Sequence, residues 1–218
     1  MVVADAMRPL TGKSPPFRSD PCGVAAVEFA LCAPILMLLL LVGFDTARYI
    51  VAARRLAVVA ATIGQMLSVS TTGQIAAADL QFYEDSTVAI FPQVLQDSYQ
   101  QGMIWANDIG MTVSTVNFTG TSPNYQGLVN WTVGTNLRPC KVPMIATSDS
   151  AQPSPTTLPT DVFGAGSLIV VDLSFKFRPT IASKLMKPIT IMRSFYVQPR
   201  YVSSLTYSGS GSANAKQC

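Results

Sequence analysis

Residues 23 to 44 read G-VAAVEFALCAPILMLLLLVGF, one glycine followed by 21 residues whose only charge is Glu28. At about 1.5 Å per residue, a helix from Val24 to Phe44 is roughly 32 Å long, which matches a bilayer hydrocarbon core of about 30 Å. The stretch is therefore long enough to span a membrane. An ordinary spanning helix needs no carboxylate, so the placement of Glu28 five residues after Gly23 is the most informative detail in the chain.

Upstream, residues 1–23 (MVVADAMRPLTGKSPPFRSDPCG) are polar and unpatterned, and Pro9, Pro15, Pro16 and Pro21 exclude a regular helix through them. Arg8, Lys13 and Arg18 precede the apolar run, while Arg48, Arg54 and Arg55 follow it, so flanking charge alone does not set an orientation. A cleaved secretory signal fits poorly. Its apolar core is shorter, about 7–15 residues, and Asp45-Thr46-Ala47-Arg48 is a weak cleavage match.

Downstream the helical pattern continues. Tyr49, Ala53, Leu56, Ala57, Ala60, Ile63, Gly64 and Leu67 recur at three- and four-residue spacing, with Arg48, Arg54, Arg55, Thr62 and Gln65 between them. Between Ile35 and Ile63 there is no proline and Gly43 is the only glycine. Gly64 weakens the last turn without forbidding it. One helix is predicted from about Val24 to Leu67, membrane-spanning over 24–44 and amphipathic over 45–69. Its second half has one face to bury, and the C-terminal domain is the expected cover.

Gly23, a carboxylate at the fifth following position and a long apolar helix resemble the type IV prepilin motif. The particular form here, AAVEFAL-CAPILMLLLL with Glu28-Phe29 and Pro34, resembles the TadE-like minor pilins or pseudopilins of tight-adherence (Tad/Flp) pilus systems. The resemblance is strongest from Gly23 to about Arg55. It implies that a prepilin peptidase cuts between Gly23 and Val24, removing a cytoplasmic leader of residues 1–23. It also implies that Glu28 and Phe29 serve assembly, the carboxylate pairing with the new Val24 amine of a neighbouring subunit and so setting axial register. The implied location is a bacterial inner membrane, crossed once, with the N-terminus cytoplasmic and the C-terminal domain periplasmic or extracellular. The implied partners are the peptidase, other pilins or pseudopilins and the pilus assembly machinery.

Residues 70–207 read as an α+β domain. Ser70-Thr71-Thr72-Gly73 breaks the long helix. Ile75–Tyr83 and Val88–Gln101 look like short helices, with Pro92 disturbing the second. Met111–Phe118, Leu128–Val133, Ser167–Phe177 and Ile189–Val197 look like strands of an antiparallel sheet, with a short helix at Thr180–Met186. Tyr201–Tyr207 is placed to extend that sheet. Residues 134–165 hold Pro139, Pro143, Pro153, Pro155 and Pro159 and read as a long, exposed, mobile loop. Residues 208–218 read as a flexible Gly/Ser tail unless Cys218 is tied down. Cys140 and Cys218 can pair if the domain is extracytoplasmic, or remain two free thiols.

The composition excludes several chemistries. With no histidine, the chain lacks the commonest metal ligand and general base. The four cysteines form no CxxC pair, so no zinc site is indicated, and no cofactor motif occurs. A net charge of +3, spread out, gives no footprint for nucleic acid. Asp172-Leu-Ser174-Phe-Lys176 starts like the metal motif of some larger pilus-system proteins but ends in lysine inside a good strand. Asn117-Phe-Thr119 and Asn130-Trp-Thr132 are sequons that fall within predicted strands. An enzyme would have to draw on Glu84, Asp85, Asp149, Asp161 and Asp172, whose spacing suggests no cluster. The reading is a non-enzymatic TadE-like pilin or pseudopilin. The alternative is an uncleaved, single-pass envelope protein with an extracytoplasmic binding domain.

Overall fold

A computed structural model of the protein describes residues 21–100, 102–181, 187–209 and 214–218. The leader lies outside the described residues as far as position 20, as does most of the expected helix at 180–186. The chain forms two compact units, one ending at Phe44 and the other, here called the head, beginning at Asp45. Helix α1, Pro21–Ser68, contributes residues to both. Proline suits the first helical position, where its missing N–H has no intrahelical partner to lose.

The head is α+β. A five-stranded antiparallel sheet has the order β7-β6-β2-β3-β9. Its strands are β2 (Ile109–Thr121), β3 (Asn124–Gly134), β6 (Gly166–Phe177), β7 (Ile189–Val197) and β9 (Ala215–Gln217). Two small parallel ladders join β1 (Gln74–Ile75) to β8 (Thr206–Tyr207) and β4 (Ile145–Thr147) to β5 (Thr157–Pro159). Helices α2 (Ala77–Ile90) and α3 (Gln93–Gln100) complete the unit.

One face of the sheet is covered by the second half of α1. Leu56, Val59, Ile63 and Leu67 are fully buried, and Ala52, Ala53 and Ala60 nearly so. They join Val113 of β2, Trp131 of β3, Ile169, Val171, Leu173 and Phe175 of β6 and Ile191 of β7 in one core. The buried stripe is rotated slightly from the predicted one, since Ala57 is exposed while Ala52 and Val59 are buried. Gly64 has a packing reason. A Cβ there would overlap the ring of Phe195, which lies against the helix backbone. Fully burying a Leu or Ile side chain contributes about 1.5–3 kcal/mol, so this stripe dominates the attachment of α1 to the sheet.

The opposite face holds a second core of Val116, Val129, Leu168 and Val170 with Met144 and Leu158. A β-bulge makes the two cores compatible. Thr115 pairs with Trp131 but Val116 pairs with Val129, leaving Asn130 as the extra residue. Side chains alternate faces along a strand, and one inserted residue reverses the alternation. Trp131 therefore points to the first core and Val129 to the second.

Several expectations are corrected here. Residues 134–165 are not a structureless loop: they contain β4, β5 and a 3-10 turn at Thr160–Val162, and while many of them are exposed, Met144 and Leu158 pack on the second face. Five prolines forbid long ladders in this segment, yet its apolar residues Met144 and Leu158 are buried, and Arg138 is fully buried. The Arg138 guanidinium grips Asp172 of β6 through both carboxylate oxygens, at 2.8 and 3.0 Å, and donates to the carbonyls of Pro155 and Thr157 at 3.3 and 3.1 Å. Ser194 also donates to Asp172. Beside this pair, burial raises the Tyr196 phenol above its ordinary range, with the Ser194 hydrogen bond opposing.

The two expected short helices break elsewhere. Ile75 belongs to a strand, α2 runs unbroken to Ile90, and the break comes at Phe91-Pro92. The polar Ser86 and Thr87 stay helical by donating back to the carbonyls of Phe82 and Tyr83. Only Thr206–Tyr207 of the expected 201–207 extension is a strand, and it pairs with β1 rather than with the main sheet. The tail is ordered at its end, where β9 pairs with β3.

Replacing Arg138 by alanine leaves Asp172 with its charge unpaired between sheet and cover. The expected outcome is a loss of about 3 kcal/mol of stability, read from denaturant unfolding of the full chain in detergent, with Arg138→Lys recovering only part of it.

Candidate functional site

The first candidate region is α1 from Val24 to Phe44. Among the described residues, most of its apolar side chains are exposed. Phe29 is 70% exposed, Leu40 70% and Phe44 52%, and Leu31, Leu36, Met37, Leu38 and Leu39 are similar, while Leu41 is half-buried. An exposed apolar run of this size marks a membrane or protein contact. This is the one described helix long and apolar enough to cross a membrane, and it makes residues 24–44 a candidate membrane anchor. Glu28 is exposed on it, one helical turn after Val24 on the same side. Phe29 projects next to it. The described helix includes Pro21–Gly23, so the bond between Gly23 and Val24 lies in helical backbone rather than before it.

The second region is the end of the head that begins at Asp45. Asp45 is 8% exposed, and its carboxylate accepts the backbone N–H groups of Thr180 at 3.1 Å and Ile181 at 3.2 Å. One turn on, Arg48 pairs with Asp97 of α3 at 2.8 Å and lies 6.0 Å from the centre of the Phe177 ring. Tyr49 meets the same ring edge-on at 5.5 Å. Arg178, just past β6, pairs with the buried Asp108 at 2.8 Å. Sequence reasoning passed over Asp45, which it treated as a flank of the apolar run. A carboxylate one residue after such a run was the available signal.

Cys140 and Cys218 form a disulfide with their Cα atoms 5.2 Å apart, closing 78 residues of sequence. It links the segment over the second face to the residue that follows β9. Cys32 in the apolar run is a free, exposed thiol.

Of the carboxylates that an enzyme would need, only Asp149 and Asp161 come together. Glu84 and Asp85 lie on α2, Asp172 is held by Arg138, and Asp149 and Asp161 share a hydrogen bond that raises the Asp161 carboxyl above its ordinary value. Among the described residues, no three of His, Cys, Asp or Glu come together as metal ligands.

Residues 23–64 match the family model of the TadE-like proteins. The matched segment takes in both the exposed apolar run with Glu28 and the part of α1 that the sheet covers through Ile63. No curated protein and no solved structure was found to match the chain.

The Arg48–Asp97 pair has an unexpected balance. Burial raises the Asp97 carboxyl above its ordinary 3.8, and the Arg48 charge and hydrogen bond offset this only in part. The native state then holds the Asp97 proton more tightly than the unfolded chain does. Stability from this group is at its fullest below pH 3.8 and falls as pH rises through the raised native value. Relative to Asp97→Asn, the wild-type chain should lose thermal stability across that window. A wild-type chain that instead gains on the variant with rising pH would show that the ion pair outweighs burial.

Proposed function

We propose that this protein is a TadE-like minor pilin or pseudopilin of a Tad/Flp pilus system. The observation that supports this best is an exposed apolar helix carrying Glu28 next to Phe29, inside the segment that matches the family. In this reading residues 24–44 cross the inner membrane with the N-terminus cytoplasmic. A prepilin peptidase cuts after Gly23, and the head stands on the far side, where an oxidising environment suits the Cys140–Cys218 bond.

The chemistry of the start of α1 supports the reading. Cleavage requires the first turn to unwind into an extended strand. Gly23 lowers the barrier because it lacks a Cβ and sits poorly in a helix, and Pro21 contributes no helical N–H. Once cut, the Val24 amine is a new positive charge. A carboxylate well inside a bilayer costs roughly 2.5 kcal/mol or more on insertion scales. An amine from a neighbouring subunit's helix offsets that cost, and it does so at one axial stagger only. Glu28 then acts as a register device for helix packing, with no catalytic role.

The rival reading is a plain anchor that keeps residues 1–23. The helical backbone through Pro21–Gly23 favours it, since no extended cleavage segment is preformed. The mature N-terminus decides between the two. Mass spectrometry of the protein from membranes should find a chain that starts at Val24, and an intact start would establish the anchor instead. Gly23→Ala should accumulate the longer form on a gel. Glu28→Ala should be processed normally yet fail to support pilus assembly, and wild-type piliation in that variant would remove the register role.

A further inference from the structure

The end of the head that carries Asp45 is covered with side chains suited to lipid headgroups. Three contacts define this rim. Asp45 holds the backbone at Thr180 and Ile181. Arg178, next to them in sequence, pairs with Asp108 and contacts the Met103 sulfur at 4.0 Å. Met103 in turn donates its N–H to Ser98 at the end of α3, beside Tyr99. Along this connected path the large apolar and aromatic side chains face outward: Tyr99 is 89% exposed, Ile104 67% and Ile181 42%. Trp105 is half-buried among them, with one side on the core. Lys176, donating to the Asn107 carbonyl, supplies positive charge, while the Arg178 charge is balanced by Asp108.

We infer that this rim is a lipid-contacting surface, and that Tyr99, Met103, Ile104, Trp105 and Ile181 enter the interfacial layer of a phospholipid bilayer. The inference rests on the reading of residues 24–44 as a membrane span. Asp45 follows Phe44 by one peptide bond, so a bilayer that contains the span ends within a few ångströms of Asp45. The residues tied to Asp45 are then the ones held at the headgroup level. Tyr and Trp favour that level because each has an apolar body and a polar tip, and a Lys beside them meets phosphate. A tethered bilayer is also always at hand, whereas a protein partner must be recruited.

The chain has two tryptophans, which makes the test direct. Trp131 is fully buried and donates to the Leu205 carbonyl at 2.7 Å, so it reports on the core, while Trp105 reports on the rim. The full chain is placed in vesicles of phosphatidylethanolamine and phosphatidylglycerol, with brominated acyl chains as quenchers. The Trp105 signal is the difference between wild type and Trp105→Phe. Quenching of that difference signal is expected for an interfacial tryptophan, with Trp131 emission unchanged, and Ile104→Glu should diminish it. In parallel, Cys22→Ser chain labelled at Cys32 with an environment-sensitive dye reports on the span. A buried Cys32 dye with an unquenched Trp105 overturns the rim inference alone, and Trp105 emission that instead responds to protein density assigns the rim to a protein contact. A Cys32 dye left in water overturns the membrane reading itself and the rim inference with it.

Discussion

Everything in the head depends on covering one stripe of α1. Leu56, Val59, Ile63 and Leu67 recur on one side of the helix with small alanines around them, and that side cannot be left in water. The strands of the sheet supply the cover, and the helix in turn buries much of the sheet's first face, with Phe91, Val94, Leu205 and Tyr207 completing the same core. Neither element is stable without the other, since an isolated sheet of this kind exposes one apolar face and an isolated helix one apolar stripe. Gly64 shows how close the two approach: the Phe195 ring occupies the space that a side chain would need.

The second face of the sheet is closed by different physics. Residues 134–165 are poor in apolar side chains, so hydrophobic burial alone would hold them weakly. A fully buried guanidinium does the positioning instead, with its fork on Asp172 and its remaining donors on the backbone of the covering segment. A bidentate Arg–carboxylate pair is directional, and it brings Pro155 and Thr157 to a defined place above β6. The Cys140–Cys218 bond then joins this cover to the end of the chain, and the last strand completes the sheet edge beside β3.

The two carboxylates around the apolar run are treated in opposite ways. Asp45 is buried in the head and satisfied by two backbone N–H groups. Glu28 is exposed and, among the described residues, has no hydrogen bond or ion pair. A satisfied carboxylate is a structural fastening. An unsatisfied one on an exposed apolar helix is available to another chain, and this difference is what makes Glu28 rather than Asp45 the candidate for assembly.

Composition and periodicity alone determined the long helix, the α+β class and the strands at 167–177 and 189–197. These are local properties: an unbroken apolar run, a three-and-four spacing and a two-residue alternation are visible in any short window. The resemblance carried by Gly23, Glu28 and Phe29 was equally local, and the family match covers that same stretch. Only the tertiary structure decided what residues 134–165 do, where the tail goes and which carboxylate faces Arg138. Prolines and serines in that segment announce an irregular backbone, but whether such a backbone is solvated or packed depends on a face of a sheet formed by residues far away in sequence. The bulge at Asn130 belongs to the same class. It reverses the facing of Val129 relative to Trp131, and nothing in the residues around it marks an inserted position, because a bulge is a relation between two strands rather than a property of one.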